Sequence, residues 1–373
     1  MKLSPRLKVI CTVTNDLNQD QRMQRICTSL VYDGYDVTLI GRLKPSSAEL
    51  ESQNYHQQRL KCWFNRGFLF YLEYNFRLFV LLYDNKQMPF ILYTVDSDTL
   101  LAGGILKYMK GIKQIFDAHE YFTEVPELSS KPIVRRVWNV IEHIFIPKAD
   151  EHITVGSHLA DIFSKKFGKI FIPIFNVPVS KDLQPLCNIA DPPMILYQGM
   201  LNQGRGLKQM IAAMEKIDRA DLYIMGEGDI SSELRLFAAH SPASKRIHFL
   251  GWKSHSEMDI ITPKATLAVN LLENSSQSYY YSLANKFFDY MHACVPSINM
   301  AFPEYIGIIN SFKVGVMIES LDQELIAATI NELLENMEKM EEMREACRKA
   351  KQIYNWEYES KKLIEIFDQL NSG

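Results

Sequence analysis

The chain has no run of about 18 uninterrupted apolar residues, so no segment reads as a membrane-spanning helix. It also has no C-x-x-C pair. Its six cysteines (Cys11, Cys27, Cys62, Cys187, Cys294 and Cys347) are scattered, without zinc-type grouping, in a chain large enough to fold without covalent staples. Reduced thiols in a cytosol are expected. An excess of one charge is missing as well: 41 Lys plus Arg face 44 Asp plus Glu, a formal net charge of −3, so no overall basic field argues for nucleic acid. Lys2, Arg6 and Lys8 open the chain, but the apolar run Val9 to Val13 is soon interrupted by Asn15-Asp16, too short for a signal peptide. A cytoplasmic protein is expected, with the inner face of the membrane as an alternative seat.

What is present is ordinary globular material, with 47% hydrophobic and 23% charged residues over 373 positions. That length exceeds the usual ceiling for one core and predicts two domains. Short β-branched runs alternate with helical patterns. Strands are expected at 8–13, 36–40, 91–95, 113–116, 152–155 and 170–174, with a helix over 20–33. Four prolines (Pro178, Pro185, Pro192 and Pro193) mark 176–193 as a linker. A second series follows, with strands at 194–197, 222–225, 247–250, 267–271 and 296–300 and a helix over 206–216. Such alternation predicts an α/β fold of two Rossmann-like domains with parallel sheets, facing across a cleft. The 323–351 segment, rich in Glu, Lys, Arg and Met, reads as solvated helix over a buried stripe. The 67–83 segment is apolar nearly all round, broken by Glu73 and Arg77. Burial in the first domain competes there with contact to a bilayer, helped by Arg59, Lys61 and Arg66 upstream.

Several strings sit at strand ends, where open α/β sheets bind ligands. Gly226-Glu227-Gly228 follows a strand, and its missing side chains let backbone N–H groups approach a phosphate or ribose, although a tight turn needs the same residues. Gly199 to Leu207 opens a helix with Arg205 and Lys208 beside its positive end; surface charge on a loop is the alternative. Helical spacing puts Asn285 and Asp289 on one face with Lys286 on the next stripe, suited to ribose hydroxyls and phosphate, or else a core helix with charged edges. In the first half, His119 and Glu120 follow the 113–116 strand; the imidazole suits a sugar hydroxyl or departing phosphate, unless backbone satisfies it. Asn15, Asp16, Asp20 and Arg22 follow the first strand, and Asp96 and Asp98 end another. Together these line one wall of the expected cleft, although Asp20 and Asp98 serve equally as helix N-caps.

Gly34-Tyr35-Asp36-Val37, Asp117-Ala118-His119-Glu120, Gly199–Leu207, Gly226–Gly228 and Tyr281–Pro296, in that order, resemble a bacterial glycosyltransferase of the GT-B fold, from the retaining group 1, family 4-like enzymes. The resemblance implies an acceptor-binding domain over 1–180, a donor-binding domain over 181–352 and a C-terminal helix, 353–373, that crosses back to the first. It implies hexosyl transfer from a nucleotide-diphosphate sugar, UDP or GDP, to a glycan or lipid-linked acceptor in cell-surface polysaccharide synthesis. No cofactor and no metal are implied; Asp96-Ser97-Asp98 lies in the acceptor half. Arg205, Lys208, Gly226, Glu227, Gly228, Ser282, Asn285, Lys286 and Asp289 would hold the donor, Asp289 at the ribose. Asn15, Asp20, Arg22, Asp96 and Asp98 would meet the acceptor, with His119, Asp16 and Glu120 at the chemistry. The pattern departs from the family at Tyr281, where a glutamate often stands, and at Met200, where an arginine often does. Two rival readings of the same fold are a nucleotide-sugar 2-epimerase and a catalytically silent nucleotide-sugar-binding scaffold.

Overall fold

The computed structural model describes residues 7–85, 89–181 and 191–372. Lys2, Arg6, Pro185 and Cys187, with half of the expected linker, lie outside them. The chain divides into two compact units: Met1–Asn176 with Tyr358–Gly373, and Val177–Glu357.

The first unit carries β1 (Lys8–Thr12), β2 (Asp36–Leu43), β3 (His56–Lys61), β4 (Phe90–Val95), β5 (Lys113–Ala118), β6 (Glu151–Thr154) and β7 (Ile172–Pro173). They form one parallel sheet in the order β3-β2-β1-β4-β5-β6-β7. β4, Phe-Ile-Leu-Tyr-Thr-Val, is buried at every position, because helices cover both faces of the sheet. The step from β1 to β2 and the step from β4 to β5 run in opposite directions, so right-handed crossovers put their helices on opposite faces. Gly67–Tyr83, joining β3 to β4, therefore shares a face with Asp96–Lys110. Phe70, Tyr74, Leu78 and Leu82 of the first pack with Ala102 and Leu106 of the second over Ile10, Ile40 and Leu92.

The second unit repeats the plan with β8 (Met194–Gln198), β9 (Asp221–Met225), β10 (Ile247–Gly251), β11 (Leu267–Asn270), β12 (Ser297–Met300) and β13 (Gly315–Ile318), in the parallel order β10-β9-β8-β11-β12-β13. The 323–351 segment forms two helices, Gln323–Glu335 and Met337–Ala350, because Asn336 leaves the helical conformation and caps the second by accepting the Lys339 N–H at 2.9 Å. Ile326, Ile330 and Leu333, then Met340, Met343 and Cys347, form the buried stripe.

β3 and β13 were not expected from sequence. β3, His-Gln-Gln-Arg-Leu-Lys, is an edge strand whose polar residues give no apolar run, and the sheet supplies the pairing that its composition conceals. The helix expected over 353–373 runs Trp356–Ser372. Its Phe367 stacks on Tyr93 of β4 at 6.0 Å, meets Tyr35 edge-on at 5.6 Å and is fully buried. Phe367→Ala should therefore cost about 3–5 kcal/mol, read as a lower urea midpoint for the unfolding transition of the first unit.

Candidate functional site

In the second sheet the strand order reverses between β8 and β11, which opens a crevice at their carboxyl ends. The loops there are closed on one another through backbone. Gly199 donates to Met225 O at 2.9 Å, Gly226 to Gly251 O at 2.9 Å and Leu201 to Glu227 O at 3.2 Å. Gly226 has a φ of +140°, and a Cβ on it would fall on the Gly199 carbonyl; one on Gly228 would lie 2.6 Å from Leu201 O. These glycines are thus required for loops to touch, so the turn reading of this string holds whatever else it does.

Two cations stand at that edge. Lys286, on the helix Asn285–His292, has its ammonium 3.8 Å from the centroid of the Tyr197 ring, and the Arg205 guanidinium sits 5.2 Å from that of Tyr279. Aromatic faces hold both charges in place without neutralising them. Among the described residues neither forms an ion pair, and Arg205 Nε is buried with no hydrogen-bond partner. Burial, then repulsion from Arg205, pushes the Lys286 pKa well below its usual value, with Asp289 pulling the other way. A buried unpaired donor beside a destabilised ammonium is an arrangement that an anion relieves. Asp289 accepts from Gln198 Nε2 at 2.9 Å, and Gln198 in turn accepts the Thr262 hydroxyl at 2.8 Å. Ser282 donates to Tyr279 O at 2.8 Å, and Asn285 is exposed at the helix start. Lys208 is in another position: it pairs with Glu233 at 2.5 Å on the exposed surface. Glu227 pairs with Arg235. Sequence reasoning missed Tyr197, Gln198 and Tyr279; the first two end a strand, which was an available signal.

In the first sheet the order reverses between β1 and β4. Asp117, at the end of β5, is fully buried, with Arg22 Nη2 at 3.0 Å and the Tyr93 hydroxyl at 2.6 Å. Despite burial, which opposes its charge, Arg22 and His119 hold its carboxyl below the usual range. His119 Nε2 lies 3.0 Å from Asp117 Oδ2 and 3.1 Å from Arg22 Nε. Arg22 Nε meets both Asp117 Oδ2, at 3.1 Å, and His119 Nε2, so the tautomer of His119 decides whether Nε2 donates to Asp117 or accepts from Arg22. Burial works against the imidazolium, yet Asp117 outweighs it and the His119 pKa rises. Nδ1 has no partner among the described residues.

Three expected wall residues are engaged within the protein. Arg22 is buried, with Nη1 on Ile174 O at 2.8 Å besides its Asp117 bonds. Asp16 accepts from Arg59 at 2.7 Å and from the Ser47 hydroxyl, which leaves no free base. Asp20 caps Gln21–Tyr32 through the Met23 N–H at 3.1 Å and accepts Asn15 Nδ2 at 3.0 Å. Asp96 adopts a φ of +51°, rare for a residue with a side chain, and its carboxylate accepts the His119 backbone N–H at 2.7 Å. Asp98 lies within the first turn, not at the cap, and accepts the Thr14 hydroxyl. Glu120 is exposed.

Burial raises the Asp98 pKa to about 7, with Thr14 and His119 opposing and Glu120 adding, and raises that of Asp96 in the same sense. A carboxyl with a higher pKa folded than unfolded adds stability that is complete below the unfolded value and lost as pH rises through about 7. The raised His119 acts with the same sign. Asp98→Asn should therefore flatten the decline in urea midpoint between about pH 5 and about pH 8, and stabilise the protein relative to the parent at the alkaline end.

Residues 182–350 match the family model described as glycosyl transferases group 1. The fold is similar to sucrose-phosphate synthase from Thermosynechococcus elongatus, with 17% identity, 98% of this chain and 100% of that one covered and a TM-score of 0.80. It is similar to HepE from Anabaena in complex with UDP, at 12% identity, 97% and 100% coverage and TM-score 0.75. A glycosyltransferase from Rickettsia africae shows 11% identity, 98% and 99% coverage and TM-score 0.76. No curated protein matches the sequence significantly. With two parallel-sheet, Rossmann-like units over its whole length, the chain has the GT-B fold of those structures, and residues 182–350 carry the match to the group 1 glycosyl transferase model.

Proposed function

We propose that the chain transfers a hexosyl group from a UDP-sugar to a glycan or lipid-linked acceptor, with retention of configuration and without a metal, in cell-surface polysaccharide synthesis at the cytoplasmic face of the membrane. The observation that carries this reading is the pair Arg205 and Lys286, whose charges no carboxylate pairs among the described residues. UDP as the nucleotide is supported by the similar Anabaena HepE, solved with UDP and with UDP-glucose. Asp289, held by Gln198, suits the ribose hydroxyls, and Ser282, Asn285 and the Gly226–Gly228 turn border the nucleotide. In transfer, the bond between the sugar C1 and the diphosphate oxygen breaks and its electron pair leaves with the diphosphate. The acceptor hydroxyl oxygen bonds to C1 and gives its proton to the departing diphosphate oxygen. Arg205 and Lys286 stabilise the departing anion, the charge for which a metal would otherwise be needed. His119, whose Nδ1 has no partner among the described residues, meets a hydroxyl of the transferred sugar, and Asp96 and Glu120 stand beside it at the sheet edge.

Arg205→Ala and Lys286→Met should each lower kcat by about 10²- to 10³-fold in an assay of UDP release from UDP-hexoses, with the thermal midpoint unchanged. Undiminished turnover in both would sink the reading; a changed sugar still attached to UDP would mark an epimerase instead.

Because the ammonium of Lys286 is destabilised in the free protein, a bound diphosphate raises its pKa, and binding takes up a proton. Titration calorimetry of UDP in buffers of differing ionisation enthalpy should show proton uptake that vanishes in Lys286→Met.

A further inference from the structure

The helix Gly67–Tyr83 buries Phe70, Tyr74, Leu78 and Leu82 and presents the opposite stripe, Leu69, Leu72, Phe76, Val80 and Tyr83, to solvent. Phe76 is 67% exposed. This apolar face is not confined to one helix. Asp96–Lys110 lies beside it on the same side of the sheet and exposes Ile105, Tyr108 and Met109. Pro132–Phe145, tied in by Tyr71 against Trp138 at 5.2 Å, exposes Ile133, Val137, Val140 and Ile144 at helical spacing. Ile133 is 80% and Tyr108 82% exposed. Ahead of the first helix, Glu73 fixes the turn by accepting the Trp63 and Phe64 N–H groups at 2.9 to 3.0 Å, which leaves the Trp63 indole 81% exposed. Soluble surfaces rarely carry so continuous an apolar patch without a partner.

The charges around it identify the partner. Arg77 Cζ lies 5.0 Å from the Trp63 ring, Lys110 Nζ 4.1 Å from the Tyr83 ring and Lys148 Nζ 5.8 Å from the Tyr108 ring, so cationic heads stand over aromatic rings at the edge of the patch. Arg66, Lys131 and Arg136 are exposed on the same elements. Against them stand Glu73, which Arg77 pairs, and Asp84 at the helix end. A cationic rim with Trp and Tyr at its edge, on a chain whose net charge is −3, is complementary to anionic headgroups over an apolar interior. Arg59, expected to help here, is instead held against Asp16 at 2.7 Å. No helix among the described residues is long and apolar enough to cross a membrane, so the contact is with one leaflet.

We infer that the exposed faces of Gly67–Tyr83, Asp96–Lys110 and Pro132–Phe145, with Trp63, form one surface that seats the enzyme on an anionic bilayer. This deepens the lipid-linked branch of the acceptor proposal and rests on it for purpose, but the surface is tested separately. The full chain should float with vesicles of phosphatidylcholine containing about one third phosphatidylglycerol and remain below vesicles of phosphatidylcholine alone, at about 0.15 M salt. Phe76→Glu combined with Val140→Glu, both at exposed positions, should lower the bound fraction about tenfold or more, with the thermal midpoint and UDP release in solution unchanged. A chain that ignores anionic vesicles overturns the inference, as does one that forms a dimer which the double variant splits, because a second copy then covers the face. Equal flotation of the double variant overturns it too. Loss of UDP release with flotation intact would sink the transfer reading alone.

Discussion

The second unit depends on backbone meeting backbone at the carboxyl edge of its sheet. Gly199 and Gly226 approach so closely that no side chain fits between the loops after β8 and β9. The bonds from Gly199 to Met225 O and from Gly226 to Gly251 O then carry the contact on to the end of β10. A rigid floor results, and Lys286 rests against it, its Nζ 3.3 Å from where a Gly199 Cβ would stand. Any side chain at Gly226 would push the loops apart and move the floor under both cations, so packing and chemistry share one constraint here.

The two units treat buried charge in opposite ways. In the first, Arg22 and Asp117 neutralise one another with several hydrogen bonds, and the outcome is a fixed imidazole, His119, whose second nitrogen remains open. Such a pair adds little net stability against an apolar replacement, but losing one partner strands the other in the core. Its value lies in orientation. In the second, Arg205 and Lys286 lean on tyrosine rings and stay uncompensated. An ion-paired arginine would have little left to offer a diphosphate; one held by a π-face keeps its charge and its donors. The same device recurs on the outer face of the first unit, where Arg77, Lys110 and Lys148 lie beside exposed aromatic rings.

Much of the architecture was legible in the sequence because parallel strands are buried on both faces. Runs such as Phe90–Val95 and Met194–Gln198 are apolar throughout and stand out from the polar loops around them. β3 was illegible for the same reason reversed: an edge strand has one neighbour and one covered face, so His56–Lys61 carries no such run. At the site, the glycine turns, Arg205 and His119 were legible as types in loops after strands, and Lys286 and Asp289 as types at the start of a helix. Their contacts were not. Nothing in the order of residues distinguishes Lys208, paired with Glu233, from Lys286, poised on Tyr197, since the partners lie 25 and 89 positions away along the chain.

Sequence alone determined the α/β alternation, the two-domain plan and the candidate strings, since local composition and the polypeptide's own periodicities decide those. Only the tertiary structure decided which charges are consumed. Asp16, Asp20 and Arg22 are taken up by Arg59, by a helix N-terminus and by Asp117, whereas Arg205 and Lys286 remain open. It alone showed, too, which apolar residues of three helices on one side of the first sheet stay exposed. The physical reason is common to both: ionic and apolar satisfaction is settled between residues distant in the chain, and the handedness of the crossovers chooses which of them meet.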